Sequence, residues 1–115
     1  MGTIPQEILR ELPVYLATDY LPWEMKTARA RLFSPLNGWS WYLVEADPDG
    51  YCFGLVFGWE SEWGPWTLQE IAEVNRSIPG AVLYDETFTP TTMDEVAEFH
   101  ARNGELFGQP WAEGR

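Results

Sequence analysis

The sequence predicts an α+β domain: a twisted antiparallel sheet of three to five strands, with about three short helices packed mainly on one face. Three observations lead there. Two runs rich in aromatic and β-branched residues, Trp39 to Asp47 and Tyr51 to Glu60, flank Asp47-Pro48-Asp49-Gly50, whose Pro and Gly sit where a type I hairpin turn wants them. Thr3, Thr67 and Thr92 are each followed three residues later by Gln or Glu and then by apolar residues at helical spacing, the pattern of a capping box. A chain of 115 residues is one domain, large enough for a core that needs neither metal nor disulfide.

Residues 1–24 read as an N-terminal helix and arm. Thr3-Ile4-Pro5-Gln6 caps a short helix bearing Ile4, Ile8, Leu9 and Leu12, which Pro13 stops. Val14 to Glu24, punctuated by Pro13 and Pro22, is an irregular arm laid over the body and anchored by Tyr15, Tyr20 and Trp23.

Residues 26–66 carry the strands. Lys26 to Ser34 alternates as an edge strand does, with Thr27, Arg29, Arg31 and Phe33 on one side and Ala28, Ala30 and Leu32 on the other. Its cations are expected to face the carboxylates of the neighbouring hairpin or protect the sheet edge, with an anion site as the lesser alternative. Ser34 to Gly38 turns the chain into that hairpin. There Gly50 takes the left-handed position, pairing Asp47 with Tyr51 and setting the register. One face then collects Trp39, Trp41, Leu43, Phe53, Leu55, Phe57 and Trp59, and the other Ser40, Tyr42, Val44, Cys52, Gly54, Val56 and Gly58. Both faces are largely apolar, so the sheet is covered twice or shows an aromatic face to a partner. Gly54 and Gly58 leave a trough that reads as a packing groove for a helix or an aromatic ring, with a ligand slot as the alternative. Ser61 to Trp66 is a turn or a bulged continuation.

Residues 67–104 read as helix, strand and helix. The first helix runs from Leu68 to about Asn75 with Leu68, Ile71, Ala72 and Val74 toward the sheet, and Ile78-Pro79-Gly80 ends it. Ala81 to Glu86 is short and β-like, and Thr87 to Thr91 is a loop. The last helix, from the Thr92 cap to about Asn103, packs through Met93, Val96, Ala97 and Phe99 and stops at Gly104. The tail, 105–115, is loose unless Phe107 or Trp111 docks.

The formal charge is −11, and no Lys or Arg occurs between Leu32 and Asn75, a stretch holding Glu45, Asp47, Asp49, Glu60, Glu62, Glu70 and Glu73. Direct nucleic-acid binding needs clustered cations and is excluded on that ground, so the acidic balance points to a protein partner with a basic surface. The single Cys52 lies in an apolar run, which predicts a buried thiol and a reducing, cytoplasmic setting. No apolar segment approaches the ~20 residues of a membrane span. No phosphate-cradling glycine loop or Cys/His metal spacing is present, and no cofactor is expected.

The candidate partner- or ligand-binding residues are Glu60, Glu62, Trp63, Trp66, Glu70 and Glu73. Glu60 and Glu62 point the same way on a strand, roughly 7 Å apart, a spacing that could hold a cation or divide acid and base roles. Trp63 and Trp66 are expected to be exposed, as interface anchors are. His100, the one histidine, reads as a surface or half-buried structural residue; a nucleophilic mechanism would require it to reach Cys52 or a serine.

Trp39-Ser40-Trp41-Tyr42 and the string from Phe53 to Gly64 resemble a family of small acidic bacterial proteins catalogued as a domain of unknown function. The likeness extends to Leu12-Pro13, Phe33-Ser34-Pro35 and Leu68-Gln69-Glu70-Ile71, leaving out the tail. The resemblance implies carriage on plasmids, integrated elements and phages, and it implies no reaction. The expected function is a non-enzymatic interaction module, an acidic inhibitor or nucleic-acid mimic acting on a host nucleic-acid-handling or defence protein. The alternative is a small enzyme or ligand binder with a pocket beside Glu60, Glu62 and the neighbouring tryptophans.

Overall fold

The structure, a computed structural model, describes residues 4–58 and 61–102. Glu60 and the tail from 105 to 115 therefore lie outside the described residues. The elements run α1 (Gln6–Glu11), β1 (Thr27–Ala28), β2 (Ala30–Phe33), β3 (Ser40–Ala46), β4 (Tyr51–Phe57), β5 (Ser61–Thr67), α2 (Leu68–Ser77), β6 (Leu83–Tyr84), β7 (Thr91–Thr92) and α3 (Met93–Arg102). An antiparallel sheet of five strands has the order β5-β4-β3-β2-β6, and β1 pairs with β7 in a separate two-stranded ribbon. The α+β class and the antiparallel sheet are as the sequence predicts.

Both faces of the sheet are covered, which answers the question its two apolar faces raised. On one face Leu32, Leu43, Cys52 and Trp66 pack with Leu12 after α1 and Ile71 of α2. Across the sheet Tyr42, Val44, Leu55 and Phe57 pack with Met93 and Val96 of α3. Two helices share the first face and the third covers the second.

The hairpin turn forms as expected: Asp47 N–H donates to the Tyr51 carbonyl (2.8 Å), Gly50 N–H to the Asp47 carbonyl (2.9 Å), and Gly50 has φ 93°. The side-chain sorting does not hold beyond the first two pairs. Ala46 pairs with Cys52 and Glu45 with Phe53, but Leu43 then pairs with Gly54, so Val44 is the extra residue of a β-bulge. The bulge shifts the register by one residue. Tyr42 therefore joins Leu55 and Phe57, while Leu43 joins Cys52, reversing the predicted partnership. Gly54 permits this, because a Cβ there would fall on the Tyr42 carbonyl oxygen. At Gly58 the neighbour is a ring: a Cβ would stand 3.0 Å from the Trp39 indole. The glycine trough is packing space.

One expectation resolves between its alternatives and two others change. Ser61 to Trp66 is strand β5, at the edge of the sheet, where Pro65 is tolerated because an edge strand turns alternate N–H groups to solvent. Strand β2 is not an edge, since β6 pairs with it beyond β3. On α2, Ile71 is buried and Leu68 partly so, whereas Ala72 and Val74 face solvent.

Of the three predicted capping boxes, the first rests on Thr3, which lies outside the described residues, and of the other two only one closes. Thr67 Oγ1 accepts from Glu70 N (3.1 Å) while the Glu70 carboxylate accepts from Thr67 N (2.9 Å). At α1 the N-cap is Pro5, with no side-chain cap. At α3 the Thr92 hydroxyl turns to the carboxylates of Asp94 and Glu95, and Glu95 N–H goes to Asp94 Oδ1 instead.

The arm is held by a carboxylate. Glu45 is fully buried and accepts from Leu16 N (2.8 Å), Thr18 N (3.0 Å) and the Thr18 hydroxyl, while Lys26, also fully buried, donates from Nζ to the Thr18 carbonyl and hydroxyl. Leu16, the one non-glycine residue with positive φ (73°) among those described, lets nearby N–H groups converge on one anion. Tyr15 N–H donates to Asp47 Oδ1 (2.8 Å), and its ring meets Tyr51 edge-on at 4.8 Å. Of the three aromatic anchors expected, Tyr15 and Trp23 pack, but Tyr20 is 81% exposed. Arg31 pairs with Asp85 (2.8 Å) at the end of β6, not with the hairpin.

Breaking a buried ionic network strands its remaining charge, at about 3–5 kcal/mol. Glu45→Leu and Lys26→Met are each expected to cost that much in urea unfolding, and the double variant less than their sum. Gly54→Ala is expected to cost about 1–3 kcal/mol through overpacking against the bulge, measured the same way.

Candidate functional site

The described candidate residues, Glu62, Trp63, Trp66, Glu70 and Glu73, fall on one unbroken segment, because Thr67 is both the last residue of β5 and the N-cap of α2. That continuity places them along one side of the sheet. Their side chains then diverge. Glu62 is exposed on the edge strand opposite Val56. Trp63, the next residue, turns to the other face of the sheet and stacks on Phe53, with centroids 5.6 Å apart and planes 16° apart. Trp66 is 8% exposed and packs in the first core with Cys52 and Ile71.

Trp66 is therefore not an exposed anchor, and Trp63 is only partly exposed. The reason is the strand: of the two readings a turn would have released both indoles, but as a continuation of the sheet paired along β4 the segment alternates them onto the two cores. The Glu70 carboxylate is occupied at the helix cap, and Glu73 pairs with Arg76 (2.8 Å) on the solvent face of α2. Glu62 keeps an exposed carboxylate with no ion pair among the described residues. At the hairpin tip, Gln69 Nε2 donates to the Asp49 carbonyl (2.8 Å) and binds the turn to the start of α2, so Asp49 joins the same acidic side.

His100 is more deeply buried than the surface or half-buried position expected of it. It is 4% exposed, its Nε2 lies 2.8 Å from the Tyr42 hydroxyl, and its ring stacks on Phe57 with centroids 3.8 Å apart. The signal was available in the spacing, since Met93, Val96 and His100 recur at helical intervals and share the buried face of α3. Cys52 belongs to the opposite core, so the sheet separates it from His100 and the two form no nucleophile–base pair. Burial, reinforced by Asp47 and Asp49, pushes the Cys52 thiol up to about 12.

Among the described residues, a groove and a cleft flank the sheet. A groove of about 660 Å³ lies between α1 and α2 and is floored by Leu32, with Asn75 and Arg76 on its rim. A cleft of about 430 Å³ lies between α3 and the loop from β6 to β7, lined by Tyr42, Phe88 and Phe99 with Arg31, Asp85 and Glu95. Neither is lined by Glu62, Trp63 or Trp66. Among the described residues no group of three or more His, Cys, Asp or Glu is placed to hold a metal ion, and no helix is long and apolar enough to cross a membrane.

In comparison with known proteins, no family model, no curated protein and no solved structure matches this chain.

With its thiol raised to about 12, Cys52 stays protonated at pH 8 and is expected to react with a disulfide reagent only after denaturation. The raised value also sets a pH window: the thiol's contribution to stability is full below its ordinary value of 9.0 and is lost as pH climbs from there toward 12. Rapid labelling of the folded chain at pH 8 would contradict both.

Proposed function

We propose that this chain is a non-enzymatic interaction module that offers carboxylates on the β5–α2 side to a basic surface on a partner protein. The observation that carries the reading is how the carboxylates are divided. Glu45, the one buried carboxylate among the described residues, is saturated by donors from its own chain and lines neither concavity. Acid chemistry in a cleft would call for the reverse, a buried carboxylate open to a ligand. Glu62, Glu70, Glu73 and Asp49 are exposed. The only cation among the described residues that pairs with any of them is Arg76, with Glu73.

Exposed charge of one sign steers encounter and selects a partner of the opposite sign. A surface of this kind suits a protein whose own basic face binds phosphate, because carboxylates can occupy the positions phosphates would take. The resemblance carried by Phe53 to Gly64 adds a setting, a mobile element, and with it a class of partner: a host nuclease or regulator that handles nucleic acid. In that reading the protein inhibits by occupying the partner's nucleic-acid site.

The test is affinity capture from a bacterial lysate with the full chain and with a triple variant, Asp49→Asn, Glu62→Gln and Glu73→Gln. All three residues are exposed and outside both cores, and Gln69 and Glu70 keep the turn and cap intact. The expected result is a basic, nucleic-acid-handling protein retained by the native chain, released by raised salt, and retained at least ~10-fold less by the variant. Equal retention by both forms, or a retained partner without a basic surface, would end the proposal.

A further inference from the structure

We propose that the cleft between α3 and the β6–β7 loop is a binding site for a quaternary ammonium head group. Its volume, about 430 Å³, lies in the range of small-molecule sites, roughly 300–1,000 Å³. Three aromatic rings line it. Tyr42 forms the floor, and Phe88 leans against it with centroids 5.9 Å apart and planes 57° apart. Phe99, half-exposed on α3, stands at the mouth. The Tyr42 ring is fixed from behind by the contact of its hydroxyl with His100 Nε2 (2.8 Å), so the floor is preorganised.

Charge selects the sign of the ligand. Arg31 lines the cleft, but its guanidinium is bound to Asp85 (2.8 Å) and Ser40 (2.9 Å) and lies over the Phe33 ring at 5.0 Å. The Arg31–Asp85 pair cancels, which leaves the exposed carboxylate of Glu95 as the net charge of the lining. Aromatic rings attract a cation, Phe88 and Phe99 being the more open of the three, and the −11 charge of the chain concentrates cations around it. An anion would meet opposition from both.

Hydrogen bonding selects the kind of cation. A primary ammonium or a guanidinium needs several acceptors, and of the two carboxylates here Asp85 is committed on both oxygens, which leaves Glu95, whose Oε1 already accepts from Thr92 Oγ1 (3.1 Å). Asp85 Oδ2 accepts from Arg31, Asp85 Oδ1 accepts from Thr87 N (3.0 Å) and Thr87 Oγ1 (2.8 Å), and the Tyr42 hydroxyl is engaged by His100. A quaternary ammonium presents methyl groups and no N–H donor, so it leaves no donor unsatisfied against the rings. The site lies away from β5 and α2 and is independent of the partner-binding reading.

The probes are choline, its neutral isostere 3,3-dimethylbutan-1-ol, ethanolamine and benzoate, each titrated into the full chain and followed by NMR. Choline is expected to shift the ring resonances of Tyr42, Phe88 and Phe99 saturably, with the neutral isostere and ethanolamine at least ~5-fold weaker and benzoate inactive. Glu95→Gln and Phe99→Ala, both at exposed positions, are expected to weaken choline by ~3-fold or more while leaving core resonances in place. Equal binding of choline and its isostere overturns the cation assignment. Ethanolamine binding as tightly as choline overturns the quaternary one. Saturable benzoate shifts, or no saturable choline shift, overturn the site.

Discussion

The structure turns on a carboxylate that never meets water. Glu45 sits at the far side of a bulge in β3, fully buried, and gathers two backbone N–H groups and a hydroxyl from the arm that follows α1. Lys26, buried just before β1, reaches the same threonine through its carbonyl and hydroxyl. A buried charge is tolerated only where donors and counter-charge surround it, so the arm and the entry to β1 are drawn to one point. This interaction fastens α1 and the arm to the sheet without regular secondary structure, and the Ala46 N–H to Pro13 carbonyl bond (2.9 Å) extends the seam.

The bulge beside Glu45 also decides what each side of the sheet does. With Val44 inserted, the side chains divide: Phe57 stacks on His100 of α3 and Tyr42 meets both rings edge-on, while Trp66, Leu43 and Cys52 form the floor for α2. A regular ladder would have placed Leu43 beside Phe53 and Leu55 instead. One inserted residue, allowed by one glycine, thus supplies the tyrosine floor of the cleft under α3.

Much of the architecture was legible where chemistry is local. Asp47-Pro48-Asp49-Gly50 forms its turn, Thr67 and Glu70 close their box, and Ile78-Pro79-Gly80 ends α2. What escaped depends on contacts distant in sequence. Gly54 was read as a trough, although its position opposite the Tyr42 carbonyl is what permits the bulge and inverts the face assignment. Glu45 was counted as one more acid in a cation-poor stretch, because its donors lie 27 and 29 residues away. The candidate site was legible as a segment, Glu62 to Glu73, but not as a surface. Gly64 and Pro65 leave a turn and a continuation of the sheet both open, and only pairing along β4 shows that an edge strand buries one indole and stacks the other.

The rims of the five-stranded sheet carry one more consequence. On β5 a proline in mid-strand withholds a main-chain donor, and the opposite rim, β6, is two residues long. A visiting strand would find an incomplete ladder on either side, so lateral growth into fibres is discouraged at the high local concentrations in which aromatic-rich chains tend to associate. Recognition of this protein by another is thereby left to side-chain chemistry on its faces and helices rather than to main-chain addition.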